Sequence, residues 1–262
     1  SERPRALRRM LKKFLGKLSA KESRPAPRLP DGLRLYAIGD IHGRLDLLGA
    51  LSERITSDLA SAAHLEVGAI FLGDYVDRGA HSAGVLDLLS SGRFPVSHVA
   101  LRGNHEEIML KFLDDENVLD SWRKFGGLET LHSYGVPVAE SMRGGGYDRA
   151  REALLRELPQ AHLDFLHATT PSISFGDYFF AHAGVRPGAP LDRQVPEDLL
   201  WIREDFLRHE GSFGKIVVHG HTPVERPDER PNRINIDTGA YASGRLTALV
   251  LEGETRRFLS TA

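Results

Sequence analysis

The sequence predicts an α/β fold of stacked βαβ units, and three observations carry the prediction. Short apolar runs alternate with segments of helical periodicity, in the order strand, helix, strand, helix, strand. The first three runs each stop at a polar cluster: Gly39-Asp40, Gly73-Asp74 and Arg102-Gly103-Asn104-His105. The chain has 262 residues and is 41% hydrophobic and 27% charged, enough for one large α/β domain with a substantial core.

Leu33–Ile38 reads as a buried strand, followed by helical periodicity from Leu45 to about Ala63. Val67–Leu72 repeats the strand pattern, a helix follows near Ser82–Leu89, and Val96–Leu101 is the third strand. Residues 106–170 read as mostly helical, broken by Gly126-Gly127 and by Arg143-Gly144-Gly145-Gly146, and form an insertion placed to shape a substrate entrance. Strand patterns return at Tyr178–Ala181, Lys215–Val218, Arg233–Ile236 and Leu246–Leu251. One catalytic domain over 31–262 is expected.

The formal charge of −2 is a cancellation. Residues 1–30 hold ten Lys and Arg against two Glu, a balance of +8, and the remaining 24 basic and 34 acidic residues give −10. Within the basic segment, Leu7, Met10, Leu11, Phe14, Leu15 and Leu18 recur at helical spacing, and Pro25, Pro27 and Pro30 close it like a linker. Residues 1–30 are thus expected to form a basic amphipathic helix plus linker. Such a helix can lie peripherally on an anionic membrane, dock on a partner protein or dock on the body. The acidic body argues against a nucleic-acid partner. No uncharged stretch approaches the roughly 18–20 residues a membrane span needs, so a soluble, cytoplasmic body is expected. The absence of cysteine excludes a disulfide scaffold, thiolate metal sites and a cysteine nucleophile.

The chemistry gathers at strand ends, where open α/β sheets bind ligands. Three ends present Asp40-Ile41-His42, Asp74-Tyr75-Val76-Asp77-Arg78 and Asn104-His105-Glu106, and two later ends present His182 and His221. Carboxylates, imidazoles and an amide oxygen at one edge make a donor set for Mn, Fe or Zn. A carboxylate between two cations can bridge them, and paired metals activate water for in-line displacement.

In these blocks the sequence resembles the calcineurin-like metallophosphoesterases and, within them, the bacterial and phage type of phosphoprotein phosphatase. The blocks are GDIHGR (39–44), GDYVDRG (73–79), GNHE (103–106), AHAG (181–184), LLWIRE (199–204), GHTP (220–223) and NIDTGA (235–240). The resemblance implies a four-layer α/β/β/α sandwich of two mixed sheets. It implies two divalent metals, Mn²⁺ with Fe or Zn as alternatives. Asp40, His42 and Asp74 would bind the first, and Asp74, Asn104, His182 and His221 the second, with Asp74 as the bridge. His105 would be the general acid, oriented by Asp77, while Arg78, Asn104 and Arg203 would bind substrate. The implied reaction is direct attack of a metal-bridging hydroxide on phosphorus. A serine/threonine protein phosphatase is the main expectation, acting on a phosphoprotein or small phosphoester, with a symmetrical diadenosine tetraphosphate hydrolase as the alternative.

The sequence departs from the resemblance at Arg44, where relatives often carry Cys, and in lacking the Ser-Ala-Pro-Asn-Tyr segment of eukaryotic enzymes. His219, two residues before His221, is expected beside the site rather than in it. Trp201 is expected as core beneath Arg203, and Glu106 as a structural partner for an Arg or backbone group. Tyr241 either reaches the site mouth or packs on a strand.

Overall fold

The computed structural model describes residues 26–262, so the predicted basic helix of the N-terminal segment lies outside the described residues. The elements in chain order begin with β1 (Leu33–Ile38), α1 (Leu45–Asp58), β2 (Glu66–Phe71), α2 (Ser82–Ser90) and β3 (His98–Ala100). The helical segment follows as α3 (Asn104–Asp114), α4 (Leu119–Trp122), α5 (Gly127–Ser133), α6 (Ala139–Met142), α7 (Tyr147–Glu157) and α8 (Gln160–Ala168). Then come β4 (Ser172–Phe175), β5 (Tyr178–Ala181), α9 (Pro196–Trp201), α10 (Glu204–Leu207), β6 (Ile216–His219), β7 (Asp228–Glu229) and β8 (Arg233–Asn235). The chain ends in α11 (Ala240–Ser243), β9 (Thr247–Glu252) and β10 (Thr255–Ser260).

These strands form two mixed five-stranded sheets, ordered β10-β9-β1-β2-β3 and β4-β5-β6-β8-β7. Consecutive pairs at one end of the first sheet and in the middle of the second are parallel: β1 with β2 and β2 with β3, β5 with β6 and β6 with β8. The outer strands β9, β10, β4 and β7 pair antiparallel. Period-2 alternation then sorts side chains into layers. Along β1, Leu35 and Ala37 face a core shared with Tyr178, Phe180, Val218 and Ile236 of the second sheet. Tyr36 and Ile38 face the opposite way, against Leu48, Leu51, Phe112 and Trp122 of the helices. On β5, Phe179 and Ala181 likewise turn outward to pack on Leu199, Ile202 and Phe206. Helix, sheet, sheet, helix is the four-layer sandwich expected.

β4, β7 and β10 carry no apolar run and were not expected. All three are edge strands, and an edge strand with a half-exposed face needs no continuous hydrophobic stretch. At the N-terminal side, residues 27–30 are joined to the body rather than strung out as a linker. Leu29 is fully buried and its N–H donates to the Gly253 carbonyl at 2.9 Å, while the Arg28 N–H donates to Asp177 Oδ2 at 3.0 Å.

Candidate metal centre

The parallel strands end on one edge, and each end delivers its polar cluster there: Asp40 after β1, Asp74 after β2, Asn104 after β3, His182 after β5 and His221 after β6. The backbone makes unusual turns to do so. His42, Asp74, Asp77, Arg78 and His221 all have positive φ, between 46° and 74°, and they are the five non-glycine residues that do so among those described. L-residues enter this region at a cost of about 1–3 kcal/mol each, and such strain persists where surrounding structure enforces it.

Glu106 does much of the enforcing. Fully buried on the first turn of α3, its carboxylate accepts from the N–H groups of Gly103, Asp74, Tyr75 and Val76 at 2.7–3.2 Å. It thus clamps the loop after β2 onto the start of α3. Burial and the charge of Asp74 push its carboxyl up to about 7. The expectation of a structural partner at the helix start is met by backbone groups.

Asp74 sits at the middle, 2% exposed. Its Oδ2 is 3.5 Å from His42 Nε2 and 3.8 Å from His105 Nε2, and its Oδ1 is 3.3 Å from His182 Nε2. Burial opposes ionisation, yet interaction with the imidazoles of His182, His105 and His42 holds the carboxyl well below the usual range. Two tight groups share this residue, His42–Asp74–His105 and Asp74–His182–His221, each with donor atoms within 4.8 Å of one another.

The donor set fits cations. His42 Nδ1 donates to the Val76 carbonyl and His182 Nδ1 to the Leu72 carbonyl, both at 2.9 Å, which leaves each Nε2 as a lone pair facing inward. The His182 Nε2 lone pair lies 2.9 Å from Asn104 Oδ1, another acceptor, with no proton to share. Asn104 Oδ1 is also 2.9 Å from His221 Nδ1. Asp40 Oδ1 and His221 Nε2 are buried with no partner among the described residues. Converging lone pairs and orphaned buried acceptors are costly without a positive charge between them. Asp40 belongs to neither tight group; its Oδ2 accepts from the His221 N–H at 3.0 Å, tying the end of β1 to the end of β6. Burial and the charges of Asp237 and Asp74 push the Asp40 carboxyl well up, and burial pushes Asp237 up to about 6. Burial pushes the imidazoles the other way, His42 to about 3 and His221 to about 2.

His105 differs from the other imidazoles. Its Nδ1 donates to Asp77 Oδ2 at 2.6 Å. Burial opposes its charge, but Asp74 and Asp77 outweigh burial and raise it to about 9. Asp77, itself fully buried, is held by two side chains of the helical segment: Trp122 Nε1 donates to Oδ2 at 2.8 Å and Thr130 Oγ1 to Oδ1 at 2.6 Å. Sequence reasoning missed both residues, because on amphipathic helices a Trp and a Thr carry no signal of a carboxylate partner.

Arg78 Nη1 donates to His42 Nε2 at 3.1 Å, and its Nη2 is 3.3 Å from His105 Nε2. Arg203 is exposed and its guanidinium hydrogen-bonds to no other described residue, yet its charge reaches His182 and His221. Trp201 packs against the helix-side core as expected, but it is half-buried and also stands edge-on to His221, with ring centroids 6.2 Å apart. His219 is fully buried and outside both groups; its Nδ1 lies 3.1 Å from the Gly220 carbonyl and its ring meets Phe206.

Comparison with known proteins adds relatives to this geometry. A bis(5'-nucleosyl)-tetraphosphatase PrpE [asymmetrical] from Anoxybacillus flavithermus is 26% identical, over 81% of this chain and 88% of the relative. Its namesake from Geobacillus thermodenitrificans is 28% identical over 83% and 90%. A solved structure carrying a provisional assignment as a diadenosine tetraphosphatase superposes with a TM-score of 0.58 at 21% identity, covering 90% of this chain and 98% of the other. A cold-active protein tyrosine phosphatase superposes with a TM-score of 0.54 at 17% identity, over 88% and 81%. The profile of the calcineurin-like phosphoesterases matches residues 33–245, which takes in β1 to β8 and every strand-end cluster described above, and the chain belongs to that family of phosphoester hydrolases.

Proposed function

We propose that the chain hydrolyses bis(5'-nucleosyl) tetraphosphates. The observation that carries this reading is the pair of relatives with that activity in their names, each spanning more than 80% of the chain. They favour the dinucleotide alternative over the protein-phosphatase expectation, whose support is the GDYVDRG and LLWIRE blocks. The relatives' names also carry asymmetrical cleavage, where the sequence alternative was symmetrical.

In this reading Asp40, His42 and Asp74 would hold one divalent cation and Asp74, Asn104, His182 and His221 a second, with Mn²⁺ as the first choice. Such cations supply an activated water and polarise the phosphoryl oxygens. The chain's own groups do the rest. Arg78, beside His42 and His105, and Arg203, whose guanidinium has no partner among the described residues, bind phosphoryl oxygens, for which a planar fork of N–H donors is suited. Asn104 adds its amide at the same edge. His105 gives a proton from Nε2 to the departing oxygen, and Asp77 fixes the ring by holding Nδ1.

Product analysis tests the reading. Incubated with Mn²⁺ and diadenosine tetraphosphate, the protein should release ATP and AMP in equal amounts. Two ADP would reverse the cleavage sense, and turnover of serine phosphopeptides far above that of the dinucleotide would restore the protein-phosphatase reading.

A further inference from the structure

Two large aromatic side chains stand exposed where the centre opens, and the catalytic roles above use neither. Tyr241 is 40% exposed and Phe125 43%. Each meets one imidazole edge-on: Tyr241 meets His42 with centroids 5.4 Å apart, and Phe125 meets His105 at 6.4 Å. Those two imidazoles are themselves 4.7 Å apart. The Arg78 guanidinium carbon lies 4.6 Å from the Tyr241 ring centroid. An exposed ring therefore borders the group assigned to phosphoryl binding.

Neither ring is there by loose placement. Tyr241 follows Ala240, whose carbonyl accepts from Arg44 Nη1 at 2.8 Å, while Asp46 accepts from Arg44 Nε at 2.8 Å. Arg44, which the catalytic reading left without a role, thus fixes the turn that presents Tyr241. Phe125 precedes Gly126, whose carbonyl accepts from the Arg78 N–H at 3.2 Å. Gly126 has φ of +100°, and a Cβ there would lie 2.4 Å from Arg78 N, so only glycine lets the insertion approach this closely. One ring comes from the helical insertion and the other from the C-terminal half, and both are tied to the metal edge.

We infer that Tyr241 and Phe125 form an aromatic mouth that stacks the nucleobase of a nucleoside phosphate whose phosphoryl group sits at Arg78, an inference that rests on the nucleotide reading above. A phosphate centre alone selects charge, whereas flanking π-faces select a planar ring without demanding a particular base. Adenosine 5'-monophosphate and ribose 5-phosphate share sugar and phosphate and differ in the base, so their affinities for the Mn²⁺-loaded protein, read by titration calorimetry, isolate the stacking. The wild-type protein should prefer the nucleotide. That preference, taken as the ratio of the two dissociation constants, should fall by about fivefold or more in Tyr241→Leu and in Phe125→Leu and persist in Tyr241→Phe. Ribose 5-phosphate is the reference for folding and for Arg78 in each variant. Equal ratios in wild type and both Leu variants would overturn the inference, as would equal weakening of both ligands. Because binding is read without turnover, a protein that shows the preference but cleaves no dinucleotide overturns the proposed substrate and leaves the aromatic mouth standing.

Discussion

At the scale of single residues, the His105–Asp77 pair shows how one imidazole among several acquires a different task. His42 and His221 are buried, and burial pushes them down to about 3 and about 2, which keeps them neutral and able to ligate. His105 is raised to about 9, because Asp74 and Asp77 together outweigh burial. A raised folded-state value means the proton is held below about 9 and lost as pH rises through it. In the metal-free protein, an NMR titration of the His105 ring should therefore find its midpoint well above the usual 6.5. Asp77→Asn should lower that midpoint, and a midpoint unmoved by the substitution would remove Asp77 from its assigned role. His105→Asn should reduce kcat by about 10²–10⁴, with a smaller loss on p-nitrophenyl phosphate, whose leaving oxygen needs no proton.

At the scale of elements, the helical insertion is more than a cover over one sheet. Trp122 on α4 and Thr130 on α5 both bond Asp77, and Gly126 between them bonds Arg78. Trp122→Phe keeps the packing against Phe112 but removes the indole N–H, leaving Asp77 Oδ2 with His105 alone. The expected outcome is a kcat about tenfold lower with KM little changed, and a full rate would show that Asp77 needs no help from the insertion. These couplings were illegible in the sequence for a physical reason. A helix announces its buried face by spacing, but which polar group that face meets is decided by tertiary packing. The strand ends were legible because the C-terminal halves of β1 and β2 and all of β5 and β6 are buried on both faces, so apolar residues run up to the point where a ligand residue follows within a few positions. β10 was not, since Thr255-Arg256-Arg257 pairs only on its β9 side and leaves its other face half in water. The left-handed turns at His42, Asp74, Asp77, Arg78 and His221 had no sequence signal either, because function rather than propensity puts non-glycine residues there.

At the scale of the whole molecule, the two sheets meet at the donor set. The first sheet supplies Asp40, His42, Asp74 and Asn104, and the second supplies His182 and His221. Without cations, what joins the sheets at this edge includes the His221 N–H to Asp40 bond and the contacts of Asn104 Oδ1 with His221 Nδ1 and with His182 Nε2, the last of which sets two lone pairs against each other. Metal binding should accordingly act on the stability of both sheets together. At Mn²⁺ about 100-fold above its dissociation constant, linkage adds about 2.7 kcal/mol, which for a chain of this size raises Tm by about 5–10 °C. Asp74→Asn removes the negative charge and one of the two carboxylate oxygens of the residue that both tight groups share, so it should abolish both the shift and the metal content measured after gel filtration. Hydrogen exchange gives the finer reading. If the cations fasten one sheet to the other, the C-terminal ends of β1 and β2 and of β5 and β6 gain protection at the same metal concentration. Protection confined to β1 and β2 would mean that His182 and His221 do not share in holding the metals, and the two-sheet assignment of the centre would fall.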